Sequence, residues 1–156
     1  MPRTSWRATW TTGAWPASSR GDEPGIHGAG PPGASLSGES PLESISAITL
    51  GVHDMARSVR FYEQLGFLLH FGGEQSGFSS FAAGGSHLNL VIVASETTIG
   101  WWGRAIFYVR DVDELYQRAC AAGLRPETAP ADASWGERYF HILDPDGHEL
   151  SFAKRL

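Results

Sequence analysis

Leu50-Gly51-Val52-His53-Asp54, running through a helical stretch to Leu65-Gly66-Phe67, recurs as Phe107-Tyr108-Val109-Arg110-Asp111, running to Ala122-Gly123-Leu124. The two copies lie 57 positions apart, and in each the Gly stands 12 positions after the Asp. Their ends match too: Gly85-Ser86-His87-Leu88-Asn89-Leu90 aligns with Gly147-His148-Glu149-Leu150-Ser151-Phe152 at a spacing of 62. Each copy reads as a strand, an Asp-capped helix and then three short strands. A unit of this kind built twice predicts a site in a cleft made jointly by both halves.

The first strand alternates, with Ile48, Leu50 and Val52 on one face and Ala47, Thr49 and Gly51 on the other. Asp54 can accept hydrogen bonds from the first free amides of a helix whose Met55, Val59, Tyr62 and Leu65 recur at helical spacing, and Gly66 ends it. Short strands follow near 67–72, 77–82 and 87–94, separated by the glycine pairs Gly72-Gly73 and Gly84-Gly85. In the second copy Ala105, Phe107 and Val109 share one strand face and Arg104, Ile106 and Tyr108 the other. Asp111 with Glu114 makes a capping-box-like helix start, and Val112, Leu115, Ala119 and Ala122 form the expected buried stripe. The last two strands, near 137–143 and 149–154, flank the tight turn Asp144-Pro145-Asp146-Gly147.

A helix that covers one face of each sheet leaves the other face to line a concave surface. That surface collects Thr49, Asn89, Arg104, Tyr108, Tyr139, His141, Glu149 and Ser151, a set too polar for a core. These residues are the candidate site.

The chain has 156 residues, enough for one domain with a sizeable core. Residues 1–42 differ from the rest: they hold six of the nine prolines and seven of the nineteen glycines, with no apolar periodicity. Such a segment cannot bury enough apolar surface to offset its ordering entropy, so a disordered tail, or an over-long reading frame, is expected before a domain spanning 43–156. It has neither the apolar core of a signal peptide nor the sustained basic amphipathic pattern of a transit peptide. Its three acidic residues balance its three basic ones, so the net charge of −5 resides in residues 43–156. That charge disfavours a nucleic-acid partner, and no apolar run is long enough to span a membrane. The single cysteine, Cys120, excludes an intrachain disulfide and suits a reducing cytoplasm, where it is expected to be a small packed residue of the second helix.

Asp54 followed by Phe61-Tyr62-x-x-Leu65-Gly66-Phe67, the paired Val-x-Asp helix starts and the closing Asp144-Pro145-Asp146-Gly147-His148 turn together resemble the vicinal oxygen chelate superfamily. This group includes glyoxalase I, extradiol dioxygenases, fosfomycin-resistance transferases and bleomycin-resistance proteins. The resemblance covers about residues 44–155 and implies an α+β fold, with two βαβββ modules forming a U-shaped incomplete barrel and a site inside it, usually in a homodimer. It also implies metal ligands at four places, which here carry Ala47, Asn89, Arg104 and Ser151. None has the usual ligand chemistry of an imidazole or carboxylate, so no cofactor is expected. A displaced divalent-metal site at His87, His141 and Glu149 is the alternative.

Trp135-Gly136-Glu137-Arg138-x-Phe140 resembles the aromatic-bearing loop of bleomycin-resistance-like members, and Trp101-Trp102 adds two aromatics in the connector between the copies. Two functions follow from the resemblance. One is a metal-free protein that binds a small organic molecule, with Arg104 facing an anionic group and Tyr108, Tyr139 and Trp135 packing on the ligand. The other is a glyoxalase-like lyase or isomerase, or a dioxygenase-type enzyme, using His141 and Glu149 as acid and base.

Overall fold

In the computed structural model residues 42–156 are described; residues 1–41 of the expected tail lie outside them. The first copy consists of β1 (Ala47–Val52), α1 (Met55–Gln64), β2 (Leu68–Phe71), β3 (Phe78–Ala83) and β4 (Ser86–Ile92). The second consists of β5 (Arg104–Tyr108), α2 (Val112–Ala121), β6 (Ala131–Asp132), β7 (Glu137–Leu143) and β8 (Glu149–Arg155). They make two four-stranded sheets, ordered β1-β4-β3-β2 and β5-β8-β7-β6, and no closed barrel. The duplication extends to register. Ala47 lies opposite His87 in the parallel β1–β4 pair, and Arg104 lies opposite Glu149 in the parallel β5–β8 pair, the same two positions of the repeat. This is the expected α+β pair of βαβββ modules.

Both helix starts follow the capping chemistry of the sequence. Asp54 Oδ1 accepts from the Arg57 amide at 2.9 Å and Asp111 Oδ1 from the Glu114 amide at 2.9 Å, each satisfying a donor that has no intrahelical partner. Gly66 and Gly123 then turn the chain out of each helix at φ 93° and 79°, a conformation costly for any residue with a Cβ. Met55, Val59, Tyr62 and Leu65 are all buried, as the spacing required.

Two expectations for α2 need correction. Ala122 is exposed, because the helix ends at Ala121, and Tyr116 extends the stripe instead by packing edge-on against Phe140 at 5.5 Å. Cys120 is likewise exposed rather than packed. It follows the fully buried Ala119 by one residue, and a 100° step around the helix carries it off the buried face. In the second copy, the two-residue β6 was not located by sequence reading, since a strand this short in an Ala-Pro-Ala-Asp run shows no alternation.

One hydrophobic cluster joins the halves. It takes Leu50, Val52, Phe81, Leu88 and Leu90 from the first sheet and Ala105, Phe140, Ile142, Leu150 and Phe152 from the second. Phe67 is the hub, with ring centroids 5.4 Å from Tyr62, 5.3 Å from Phe107 and 6.2 Å from Phe152. Each buried ring of this kind contributes roughly 1.5–3 kcal/mol through its area alone. Both sheets give one face to this common core, and each turns its other, more polar face out of that core.

Polar contacts to the β7–β8 turn reinforce the junction. Tyr62 Oη donates to Asp144 Oδ2 at 2.9 Å, while Asp144 Oδ1 accepts from the amides of Asp146 and His148 at 2.9 and 2.8 Å. Asp146 in turn receives His53 Nδ1 at 2.8 Å, Arg57 Nη2 at 2.9 Å and Ser58 Oγ at 3.3 Å. Among the described residues no helix is long and apolar enough to cross a membrane.

Candidate functional site

The outward face of the second sheet carries most of the expected site. β8 runs between β5 and β7, so Ile106, Ser151 and His141 form one cross-strand row and Tyr108, Ala153 and Tyr139 the next. The middle member of each row is small and the outer ones are large. Alternation in side-chain size thus makes a trough, floored by Ser151 and Ala153, both nearly fully buried, and walled by Ile106 and Tyr108 on one side and His141 and Tyr139 on the other. Adjacent strands lie about 4.8 Å apart, so the walls stand on strands roughly 10 Å apart, enough for one planar ring between them. Trp135 extends one wall, stacked on Tyr139 with centroids 5.6 Å apart and planes at 23°. Tyr139 continues to His141 at 4.9 Å. Trp135 is 64 % exposed, Ile106 62 % and Tyr108 59 %, a concentration of uncovered apolar surface that marks a place for another molecule.

One end of the trough is closed by charge. Arg104 Nη2 pairs with Glu149 Oε1, and its Nη1 approaches His141 Nε2 at 3.2 Å. Trp101 Nε1 donates to Glu149 Oε2 at 3.0 Å, so both carboxylate oxygens are engaged. A guanidinium only donates, so His141 Nε2 must accept and the imidazole carries its proton on Nδ1. Burial first, and the neighbouring Arg104 charge second, push the His141 pKa below its ordinary value, with Glu149 acting in the opposite direction. His141 Nδ1 is buried and has no hydrogen-bond partner in the structure.

At the other end Glu137 receives the Tyr108 hydroxyl and, at 3.1 Å, Trp135 Nε1. Hydrogen bonding from Tyr108, then from Trp135, holds the Glu137 carboxyl below its usual range. The Arg155 guanidinium sits 5.5 Å from the Tyr108 ring centroid. Sequence reading placed Ile106 on this face without naming it among the site residues, named Glu137 only in the loop segment that starts at Trp135, and missed Ala153 and Arg155. The signal that finds them is register: each shares a face with an already chosen residue.

Thr49 and Asn89 lie elsewhere. They face each other on the outer side of the first sheet, with Asn89 Nδ2 3.4 Å from Thr49 Oγ1. Among the described residues, no hydrogen bond joins them to Arg104, His141 or Glu149. His87 lies in their sheet, opposite Ala47, and its ring centroid is 5.3 Å from that of His70. No group of three or more His, Cys, Asp or Glu side chains placed to hold a metal occurs among the described residues.

The connector between copies is fastened from below. His148 is 5 % exposed, accepts from Trp102 Nε1 at 2.7 Å through Nδ1 and donates through Nε2 to the Gly51 carbonyl at 2.8 Å. An indole N–H can only donate, which fixes this tautomer. The Asp-Pro-Asp-Gly-His turn therefore positions both Trp102 and the first residue of β8, Glu149. A separate cavity of about 880 Å³ lies between the halves, lined by Ile48, Leu65, Leu68, His87, Leu115 and Arg118 among others, and meets the trough only along Ile106 and Tyr108.

The same fold occurs in known proteins. The chain is 30 % identical over 134 residues to bleomycin resistance proteins of Geobacillus stearothermophilus and Staphylococcus aureus, spanning 74 % of this chain and 98 % of each relative. Among solved structures, TioX from Micromonospora sp. ML1 superposes with a TM-score of 0.60 at 26 % identity, over 73 % of this chain and all of that one. A bleomycin-binding protein complexed with bleomycin gives 0.59 at 22 % identity, over 74 % of this chain and all of that one, a likeness of fold. The family model that matches residues 44–152 takes in both copies of the repeat and the turn that ties them, and so the chain belongs to the Glyoxalase/Bleomycin resistance protein/Dioxygenase superfamily.

Proposed function

We propose that this chain binds a small, flat organic molecule in the trough of the second sheet, without a metal at the superfamily's usual ligand positions. The observation that carries this reading is the pair of ring-bearing walls, exposed Tyr108 against half-buried Tyr139 and exposed Trp135, on either side of a floor of Ser151 and Ala153. Faces of this kind favour stacked planar ligands, each aromatic contact contributing about 0.5–1.5 kcal/mol beyond its area. The bleomycin resistance proteins among the relatives support a sequestering role of this type. Residues at the four superfamily ligand positions do not fit a divalent ion: Ala47 offers a methyl group, Asn89 an amide, Arg104 a permanent cation and Ser151 a hydroxyl nearly closed off from solvent.

Arg104 is already paired with Glu149, so it serves as a neutralised end-stop that orients His141 and turns toward an anionic ligand group only by sharing its donors. The same contacts bear on the catalytic alternative. His141 has its one lone pair at Nε2, which faces the Arg104 guanidinium, and Glu149 is held as a charged partner by Arg104 and Trp101, which supports binding over proton transfer.

The molecule acts as a homodimer in this reading. Among the described residues Thr49 and Asn89 share no hydrogen bond with the trough residues of their own chain, and a second copy that sets its first sheet over the trough would bring them to a shared cavity. The setting that suits the single free cysteine is the reducing cytoplasm. A fluorescence screen of flat aromatic compounds tests the reading: a hit should quench Trp135, and Tyr139→Ala should weaken it about tenfold. A hit that binds Tyr139→Ala and Trp135→Ala as tightly as the original chain would place the ligand elsewhere.

A further inference from the structure

The outer face of the first sheet holds a second cluster of potential ligands, unrelated to the trough. β2 and β4 flank β3, and Ala82 of β3 lies between Leu68 of β2 and His87 of β4. At Ala82 the sheet face has only a methyl group, leaving a gap over which longer side chains from both flanking strands can meet. His87 reaches in from β4. His70 reaches in from β2 where the pairing slips: Leu69 lies opposite Phe81 but Phe71 lies opposite Ser80, so His70 has no partner of its own and is re-aimed by the irregularity. The two imidazoles meet with ring centroids 5.3 Å apart and planes at 50°.

We infer that His70 and His87 form a two-imidazole site for a borderline divalent cation of the zinc, nickel or copper class. Three observations carry it. The spacing fits: an ion bonded at about 2.0–2.1 Å to one nitrogen of each ring, at a near-tetrahedral angle, sets the ring centroids about 5 Å apart. The lone pairs are available, since no hydrogen bond engages a ring nitrogen of either residue among the described residues, whereas His53, His141 and His148 each have at least one ring nitrogen in a hydrogen bond. The position is accessible, with His70 exposed and His87 half-buried at the rim of the cavity between the halves. Imidazole selects zinc, nickel and copper, whereas magnesium and calcium require oxygen ligands, and the two residues offer none.

The site is distinct from the superfamily's ligand positions, which carry Ala47, Asn89, Arg104 and Ser151. Two protein ligands leave the remaining coordination positions to water, so the ion exchanges with solvent and a chelator removes it.

The experiment is a calorimetric titration of the untagged full chain with Zn²⁺ and, separately, Ni²⁺ and Mg²⁺. One Zn²⁺ or Ni²⁺ per chain should bind and Mg²⁺ should not. His70→Ala and His87→Ala should each weaken Zn²⁺ binding at least about tenfold, with thermal midpoints near that of the original chain to show that both fold. His53→Gln, which leaves both proposed ligands in place, should bind like the original. In NMR spectra Zn²⁺ should shift the ring signals of His70 and His87 together. Undiminished binding in either alanine variant, or no Zn²⁺ binding at all, overturns the assignment.

Discussion

Replacing Tyr62 with Phe removes one oxygen from the best-buried point between the two halves and leaves the packing intact. The ring is 0 % exposed and packs edge-on against Phe61 and Phe67, so a phenyl fills the same volume. Burial, with the neighbouring Asp144 charge second, pushes the Tyr62 hydroxyl well above its ordinary pKa, and it therefore serves as a donor throughout the neutral range. Its acceptor, Asp144 Oδ2 at 2.9 Å, belongs to a side chain only 4 % exposed that water cannot readily resolvate. A hydrogen bond to a charged group is worth about 1.5–3 kcal/mol, and the high burial at both ends places this one in that range. With an unfolding entropy of about 2.1 cal/mol/K per residue over residues 42–156, the loss lowers the thermal midpoint by roughly 6–12 °C. Calorimetry of Tyr62→Phe beside the original chain measures it, with the denaturant slope expected to stay the same. A fall of less than about 2 °C would refute the reasoning, because it would mean that the Asp144 carboxyl gains as much from another partner.

His53 and the helix caps give further expectations. His53 Nδ1 faces the Asp146 carboxylate at 2.8 Å and Nε2 faces the Thr97 carbonyl at 2.9 Å, two acceptors that both ring nitrogens satisfy only when the imidazole is protonated. These contacts, the Asp146 hydrogen bond first, raise its pKa, so its contribution is complete below the unfolded value of about 6.5 and is lost as pH rises through the folded value. The stability difference between the original chain and His53→Gln should therefore shrink toward alkaline pH, and a constant difference from about pH 5 to 9 would contradict the arrangement. Asp54→Ala and Asp111→Ala should each cost about 1 kcal/mol in chemical denaturation, the price of an unfilled N-cap; no change would mean that water serves those amides equally well.

The fold was legible because the repeat carries its register with it. Once Ala47 and Arg104, and His87 and Glu149, are recognised as equivalent positions, strand pairing in one half dictates it in the other, and the outward faces follow by alternation. The trough was partly legible for the same reason, since Arg104, Tyr108, Tyr139, His141, Glu149 and Ser151 do share one face. Their partnering was not. Nothing in a linear pattern says that the Trp101 indole reaches Glu149 or that Glu137 bridges Tyr108 and Trp135, because those contacts depend on where a loop lands. Thr49 and Asn89 show a different limit. Alternation shows that a residue points away from its own core, but the relation of the two outward faces is set by Phe67 and the Asp144 turn, contacts between the halves. Ala122 was misplaced by carrying a helical stripe one residue past Ala121, where the helix ends, and Cys120 by overlooking the 100° step that takes it off the face of Ala119.

The most direct test of the central claim is a calorimetric titration of a flat aromatic ligand, identified by Trp quenching, with and without a chelator in molar excess over total metal. It is done in parallel on the His70→Ala background so that any ion on the first sheet is absent from the comparison. The account predicts one affinity in all four arms, and a loss of about tenfold on Tyr139→Ala. Binding that vanishes with chelator on the His70→Ala background and returns on adding Zn²⁺, Fe²⁺ or Mn²⁺ would contradict it, because the ligand would then be held through a metal that the trough is argued not to need.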